Sequence, residues 1–343
     1  LWAWMAALGV TRHLGLVSPA YGVYRPVEGG GILPAYADYL LRTPLYAAEY
    51  QRRSTGVNSS RLRLYPEQFL RMPVLLPPVE DQTAIVRFLD KVNGRIERVI
   101  RAKRKVIALL TERKQAIVYR AVTGGLDVSV QLKPTGLPWL GSIPLHWEVR
   151  RLRVLVRSID QGISPLAEGF LAEGDSWGVL KSGCVNRGVF RETEHKRLAR
   201  GFDIDPSIAV KVGDVLISRA CGSPSLVGSV ARVRSLRYRL ILSDKTFRAT
   251  FRDSVDPDFM VYAMNCRYYR HQVEQAISGA EGMANNLPLS SLKDFRFAIP
   301  PKAEARRIAE KLSNDTVAID KRVAHLEGEI DLLREYRTRL IAD

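Results

Sequence analysis

Residues 76–127 read LPPVEDQTAIVRFLDKVNGRIERVIRAKRKVIALLTERKQAIVYRAVTGGLD, and residues 299–343 read IPPKAEARRIAEKLSNDTVAIDKRVAHLEGEIDLLREYRTRLIAD. The two stretches superpose at an offset of 223 residues, which sets Pro77-Pro78 on Pro300-Pro301; upstream, the same step sets Leu64 on Leu287 and Thr55-Gly56 on Ser278-Gly279. Each copy then carries apolar residues at three- and four-residue intervals: Ile85, Leu89, Ile96, Ile100, Ile107, Leu110 and Ile117 in the first, and Ile308, Leu312, Ile319, Val323, Ile330, Leu333 and Leu340 in the second. Such spacing held over about 33 residues predicts a long helix with a coiled-coil seam, roughly 50–55 Å at ~1.5 Å per residue. Proline ends the extended lead-in, and Glu80, Asp81 and Glu304 stand where the positive end of a helix dipole favours acid. Gly124-Gly125 is a C-cap signal. Two apolar stripes in one chain bury each other most economically as an antiparallel pair. Lys103 and Lys114 interrupt the first stripe, an intrusion of the kind that fixes register.

Around the helices the chain divides into 1–76, the helix 77–125, a segment 126–299 and the helix 300–343. Pro134, Gly136, Pro138, Trp139, Gly141, Pro144 and Trp147 predict an ordered connector. Beyond it, strand-like runs at Trp177–Leu180, Val215–Ser218, Val227–Val233 and Thr246–Thr250, then a helical stretch Phe259–Ala276, predict a mixed α and β domain. Residues 1–76 match only the last part of that domain: Ser18–Tyr24 corresponds to Ser243–Ala249, and a helix Tyr36–Arg52 corresponds to the helix after Asp258.

Lys plus Arg number 52 against 36 Asp plus Glu, a formal charge of +16, so the default partner is a polyanion, with nucleic acid ahead of acidic lipid. Three cysteines stand far apart and five histidines are scattered, which argues against a disulfide framework or zinc site and for a reducing, cytoplasmic compartment. No apolar run reaches the ~18 residues of a membrane span. The chain opens on Leu1 without a basic n-region or cleavage site, and is read as a fragment without a signal peptide.

Several phrases together resemble the DNA-specificity subunit of type I restriction-modification systems. They are Leu76-Pro77-Pro78-Val79-Glu80-Asp81-Gln82 at the head of the first helix and Arg120-Ala121-Val122-Thr123-Gly124-Gly125-Leu126-Asp127 at its foot. Gly136-Leu137-Pro138-Trp139-Leu140-Gly141 and Ile143-Pro144-Leu145-His146-Trp147-Glu148 open the next domain, and Gly213–Ala220 and Asn286-Leu287-Pro288-Leu289 lie within it. The resemblance covers essentially the whole chain. It implies an α+β protein with two target-recognition domains, the first truncated at its N-terminus, separated by two long helices packed as an antiparallel coiled coil. It further implies a non-catalytic subunit without a cofactor that reads a bipartite site in double-stranded DNA and recruits methyltransferase and restriction subunits. The rival readings are the specificity region of a single-chain restriction-methylation enzyme and a structural coiled-coil adaptor.

The motifs agree with a subunit that leaves chemistry to its partners. There is no N/D-P-P-Y/F methyltransferase motif and no G-x-x-x-x-G-K-[ST] phosphate cradle. Asp175 with Glu194-His195-Lys196 has the ingredients of a D…E-x-K nuclease site, but such patterns arise readily in a charged chain, and a surface turn is the favoured reading. For DNA contact, cations must meet phosphate, and Arg, Asn or Ser must reach base edges from loops. The candidates are Lys181, Ser182, Asn186 and Arg187 in one loop, Arg219 and Ser223 in another, Lys245 and Arg248 after Asp244, and Asn285 and Asn286. Asn58, Arg61 and Arg63 are their counterparts in the first domain, where Trp2, Trp4 and Tyr21 read as core. Finally, residues 84–120 carry eleven Lys or Arg against three acids, while 302–343 carry nine against nine. The first helix is therefore the basic one, facing solvent, DNA or an acidic partner.

Overall fold

The computed structural model describes residues 7–11, 13–19, 21–56, 62–186, 188–199, 201–277 and 285–342. These form two compact units, Leu1–Leu109 with Lys321–Asp343, and Leu110–Asp320. Trp2, Trp4, Asn58, Arg61, Arg187 and Ser278-Gly279 lie outside the described residues.

In the first unit, helices α1 (Pro34–Leu40), α2 (Pro44–Arg53) and α3 (Pro66–Leu70) each begin on a proline, whose fixed φ suits the first helical position. Tyr46, Tyr50 and Met72 form their core, and the buried Tyr50 hydroxyl donates to the Leu41 carbonyl at 2.7 Å. Two long helices, α4 (Val79–Gly124) and α9 (Lys302–Ala342), contribute to both units. Within the first, Ile96 and Ile100 of α4 pack on Ile330 of α9, flanked by Val92, Ile107 and Leu333. Lys103 meets Glu329 at 3.0 Å and Arg337 meets Glu97 at 2.6 Å, so numbering rises on one helix as it falls on the other: the pairing is antiparallel. At its head, buried Gln82 donates to the carbonyls of Gly31 and Pro77 and accepts from the Leu33 N–H at 2.8 Å, tying the lead-in of α1 to α4.

In the second unit, a connector hairpin, β1 (Leu132–Pro134) with β2 (Ser142–Pro144), leads to β3 (Glu148–Arg151) and a short α5 (Leu152–Leu155). Strands β4 (Val156–Gln161), β10 (Val215–Ser218), β12 (Val230–Arg232) and β14 (Thr246–Phe251) make an antiparallel sheet in the order β12-β10-β14-β4. A second sheet runs β13-β6-β9-β5, from β5 (Ala167–Glu168), β6 (Trp177–Leu180), β9 (His195–Leu198) and β13 (Arg239–Ile241). Alternation along β10 explains the layering. Val215 and Ile217 join the core with Phe259, Met260 and Phe297, whereas Leu216 joins the other core with Leu180, Leu240 and Ile241. A strand buried on both faces reads as continuously apolar, as Val215-Leu216-Ile217 does. Helices α6 (Pro257–Ala263), α7 (Arg267–Ala276) and α8 (Leu289–Asp294) follow, and β16 (Arg296–Ile299) pairs with β3 to return the chain to α9.

The connector is ordered, as its composition predicts, and it brings three of the quoted phrases together. Gly125 has φ +76°, and a Cβ there would lie 3.3 Å from a carboxylate oxygen of Glu304 and 3.5 Å from the Trp147 ring. Glu304 accepts from the Trp147 indole N–H at 3.2 Å and lies 2.8 Å from a His146 ring nitrogen. Trp139 stacks on Tyr268 at 6.1 Å between centroids.

The 223-residue step recurs in the elements themselves: Pro34 and Pro257, Pro44 and Arg267, Pro66 and Leu289, and Val79 and Lys302 are all equivalent helix starts. Tyr39 of α1 bonds Asp90 and Asn93 of α4, and Tyr262 of α6 bonds Ser313 and Thr316 of α9, the same positions one repeat on.

Five sequence expectations need correction. The helix expected at Tyr36–Arg52 is two, because Pro44 starts a new helix and disfavours helical geometry at Thr43; Phe259–Ala276 is likewise two, interrupted at Met264–Cys266. Described residues of Ser18–Tyr24 form no strand, since the partners of their counterpart β14, namely β10 and β4, have no equivalents in 1–76. The long helices have 46 and 41 residues, roughly 69 and 62 Å, because helix continues past the apolar stripe at both ends. Lastly, Ile85 is exposed, and buried positions on α4 begin with Gln82 and Leu89.

Candidate nucleic-acid interface

Four chain segments of the second unit converge where β10 ends and β14 begins. Arg219, just past β10, holds them. Its backbone N–H donates to the Lys245 carbonyl at 2.8 Å and its carbonyl accepts from the Leu287 N–H at 2.9 Å. Its guanidinium donates to the Asp244 carbonyl at 2.8 Å and lies over the Phe247 ring, 5.8 Å from the centroid. The next two residues form β11 (Ala220–Cys221), which pairs with β15 (Asn285–Asn286) in the register Ala220↔Asn286. Asn285 and Asn286 thus sit beside Arg219, although 66 sequence positions separate Arg219 from Asn285. Gln161, at the end of β4, closes the group by donating to the Asp244 carbonyl at 3.2 Å; opposite Phe247 in the register, it carries no local sequence signal that could mark it. Neighbouring Gly162 is required by close approach, because a Cβ would stand 1.9 Å from the Leu242 carbonyl oxygen.

Lys245 points its ammonium at the Asp244 carboxylate, 2.5 Å away. Ser223 precedes a 3-10 turn, Pro224–Leu226, and its hydroxyl lies 3.0 Å from that of Ser225. Lys181 and Ser182 lead into a second 3-10 turn, Ser182–Cys184, which lies against β10 and β11 and places the Cys184 thiol 3.9 Å from the Thr246 hydroxyl. Lys181 is held to the Glu194 carbonyl through its N–H at 2.9 Å, with its ammonium 3.9 Å from the Glu194 carboxylate. Asn186 lies in β7 (Val185–Asn186), paired with β8 (Val189–Phe190), and its buried amide oxygen has no hydrogen-bond partner among the described residues. Lys181, Ser182, Arg219, Ser223, Lys245, Asn285 and Asn286 therefore belong to neighbouring loops.

Arg248 stands apart from them. Its side chain is 12% exposed and meets Asp160 at 2.9 Å and Asp214 at 3.5 Å, while also donating to the carbonyls of Ala209 and Ser207. This is a structural role for a residue grouped by sequence with Lys245. In the first unit, exposed Arg63 forms a backbone bridge with Thr55 and occupies the position equivalent to Asn286.

The nuclease-like residues share no centre. Asp175 meets Arg239 at 3.1 Å, Glu194 faces Lys181, and His195 is buried in the second sheet, where its Nε2 accepts from the Ala172 N–H and its Nδ1 lies 2.6 Å from the Glu192 carbonyl. Among the described residues no group of three or more His, Cys, Asp or Glu side chains could hold a metal ion. Burial pushes the thiols of Cys184 and Cys266 up to about 12, so both are inert packing groups. Nor is any helix among the described residues long and apolar enough to cross a membrane. The loop group offers guanidinium, ammonium, amide and hydroxyl donors, the set that meets phosphates and base edges.

No family model matches the chain. It is 27% identical over 188 residues to the type I restriction enzyme EcoEI specificity subunit of Escherichia coli, covering 54% of this chain and 32% of the relative. Over 211 residues it is 24% identical to the StySPI specificity subunit of Salmonella potsdam, with 59% and 43% covered. With the EcoKI specificity subunit of Escherichia coli K12 it shares 21% identity over 325 residues, with 92% and 65% covered. The matches thus span about a third to two thirds of these relatives' length. In fold it is similar to a chain of a type I R-M system solved for its complex assembly and conformational transition, with a TM-score of 0.59 at 17% identity, covering 90% of this chain and 70% of that one.

Proposed function

We propose that this chain, which is similar to type I restriction enzyme specificity subunits, is a non-catalytic DNA-recognition subunit that reads one part of a bipartite site through residues 126–299. The observation carrying this reading is the convergence of Arg219, Lys245, Asn285 and Asn286 from distant segments onto one rim. In it, Arg219 and Asn286 contact base edges, Lys181 and Lys245 contact phosphate, and Ser182, Ser223 and Asn285 complete the surface; Arg248 and Asn186 position the loops. Residues 1–76 are the C-terminal part of the first recognition domain, with Asn58, Arg61 and Arg63 as its candidates.

Helices 77–125 and 300–343 act as a spacer of antiparallel coiled-coil type, its register set by Lys103–Glu329 and Lys114–Asp320 and its length setting the gap between half-sites. The complex would include methyltransferase subunits and, for cleavage, restriction subunits. Leu109 and Leu332, equivalent under the repeat and 55% and 66% exposed, suit two copies of one partner. The test is selection of bound duplexes from a randomised DNA pool by the purified chain. A recurrent short motif, lost or relaxed in Arg219→Ala and Asn286→Ala, supports the assignment; salt-sensitive binding without an enriched motif contradicts it.

A further inference from the structure

The solvent face of α4 carries a regular row of cations. Arg87, Lys91, Arg95, Arg98, Arg101 and Lys105 follow one another at steps of three and four, and all six are exposed. At ~100° per residue they fall within an arc of about 120°, on the side of the helix away from Leu89, Ile96, Ile100 and Ile107. None of the six has an ion-pair partner among the described residues. The two carboxylates in the stretch are already engaged, Asp90 accepting from the Tyr39 hydroxyl at 2.6 Å and Glu97 pairing with Arg337. On α9 the equivalent positions are Glu310, Asn314, Ala318, Lys321, Ala324 and Gly328, one cation against six. Helix propensity and the shared fold would allow either set, so the charge is a property of this face and not of the repeat.

We propose that this face is a sequence-independent track for the phosphate backbone of duplex DNA, an assignment that rests on the DNA-recognition reading above. Row and ligand match in spacing: the six cations span a rise of roughly 27 Å, and duplex DNA offers a negative charge every ~1.7 Å of axis. An acidic protein fits less well, because protein interfaces need an apolar centre from which charge is depleted, and between Arg87 and Lys105 the uncharged residues within the arc are Gly94 and Ala102, with exposed Leu109 one turn beyond the row. Exposed Phe88, Val99 and Val106 lie on the neighbouring flank and leave the row to the polyanion. Contacts of this type carry affinity and leave base preference unchanged.

The test uses the purified full chain and a mixed-sequence duplex, with binding measured over a range of KCl concentrations. The quadruple variant Arg87→Gln/Arg95→Gln/Arg98→Gln/Arg101→Gln, all on a solvent face, should bind at least about tenfold more weakly at low salt. The slope of log Kobs against log salt should become shallower by roughly 0.9 for each lost contact. The half-site preference selected from a randomised pool should be unchanged. A control variant on α9, Arg306→Gln/Lys311→Gln/Arg339→Gln, removes cations already paired with Glu310, Asp315 and Glu335 and should leave the slope as it was. An unchanged slope in the quadruple variant overturns the track while the recognition reading stands. If that unchanged slope came with lost co-purification of the methyltransferase subunits, an acidic partner would hold the face instead. A wild-type chain that binds no duplex would sink both readings.

Discussion

Arg219 and Arg248 look alike in sequence, each an arginine beside an apolar run, yet Arg219 follows β10 while Arg248 lies within β14, and their surroundings separate them. Arg219 lies on the rim beside Asn286, where truncation to Ala should relax base discrimination by ~1–3 kcal/mol if it makes a bidentate base contact. Lys245→Ala should instead weaken binding to all duplexes alike, as a phosphate contact does. Arg248 is enclosed by Asp160, Asp214 and two carbonyls. Arg248→Met should cost about 2–3 kcal/mol of stability, less than the ~3–5 of a fully buried pair because Asp160 keeps solvent contact, and leave base preference intact. Chemical denaturation alongside the DNA-binding assay separates the two effects. Residue type alone could not distinguish these arginines, because the carboxylates that claim Arg248 come from 34 and 88 positions away in the chain.

At the scale of elements, the period of the long helices is legible in sequence and so are three of their ends: Pro77-Pro78 and Pro300-Pro301 stand just before α4 and α9, and α4 stops at Gly124. Three- and four-residue apolar spacing announces α4 and α9 because helix packing enforces it. The ties that fasten those ends to the rest of the fold, Gln82 with Gly31 and Gly125 against Trp147 and Glu304, are contained in no local pattern. Gly125→Ala should cost ~1–2 kcal/mol for a side chain at left-handed φ, measured as a lower midpoint of unfolding. The lysines on the seam prove to be partnered, Lys103 by Glu329 and Lys114 by Asp320. Under the 223-residue step Lys114–Asp320 becomes Arg337–Glu97, so one ion pair is built twice; Lys103–Glu329 would become Leu326–Val106 and occurs once.

That single pair has a pH signature. The Lys103 ammonium holds the Glu329 carboxyl below its ordinary range. Its stabilisation is therefore present at neutral pH and lost as pH falls through the lowered value. Lys103→Met should reduce the fall in Tm between pH 7 and roughly pH 3. The register also identifies facing points on the two helices. Inserting four residues after Arg104 and four after Gly328 adds ~6 Å and nearly preserves the buried face. Half-site sequences should then persist while the gap between them grows by about one or two base pairs. One-residue insertions, which rotate the later seam by ~100°, should damage assembly.

For the whole molecule, the repeat revealed more than any local feature, since one duplication accounts for four pairs of helix starts. What stayed hidden is the joining of loops: Asn285 and Asn286 reach Arg219 through β11 and β15, two strands of two residues each, too short to read from sequence. The central claim is that this architecture specifies a bipartite DNA site for partner enzymes. Methylome sequencing of cells carrying the protein with its methyltransferase subunit tests it most directly. The account predicts methylation at one split motif, with one half altered by substitutions at Arg219 and Asn286. Methylation at an unsplit motif, or a split motif indifferent to those substitutions, would contradict it.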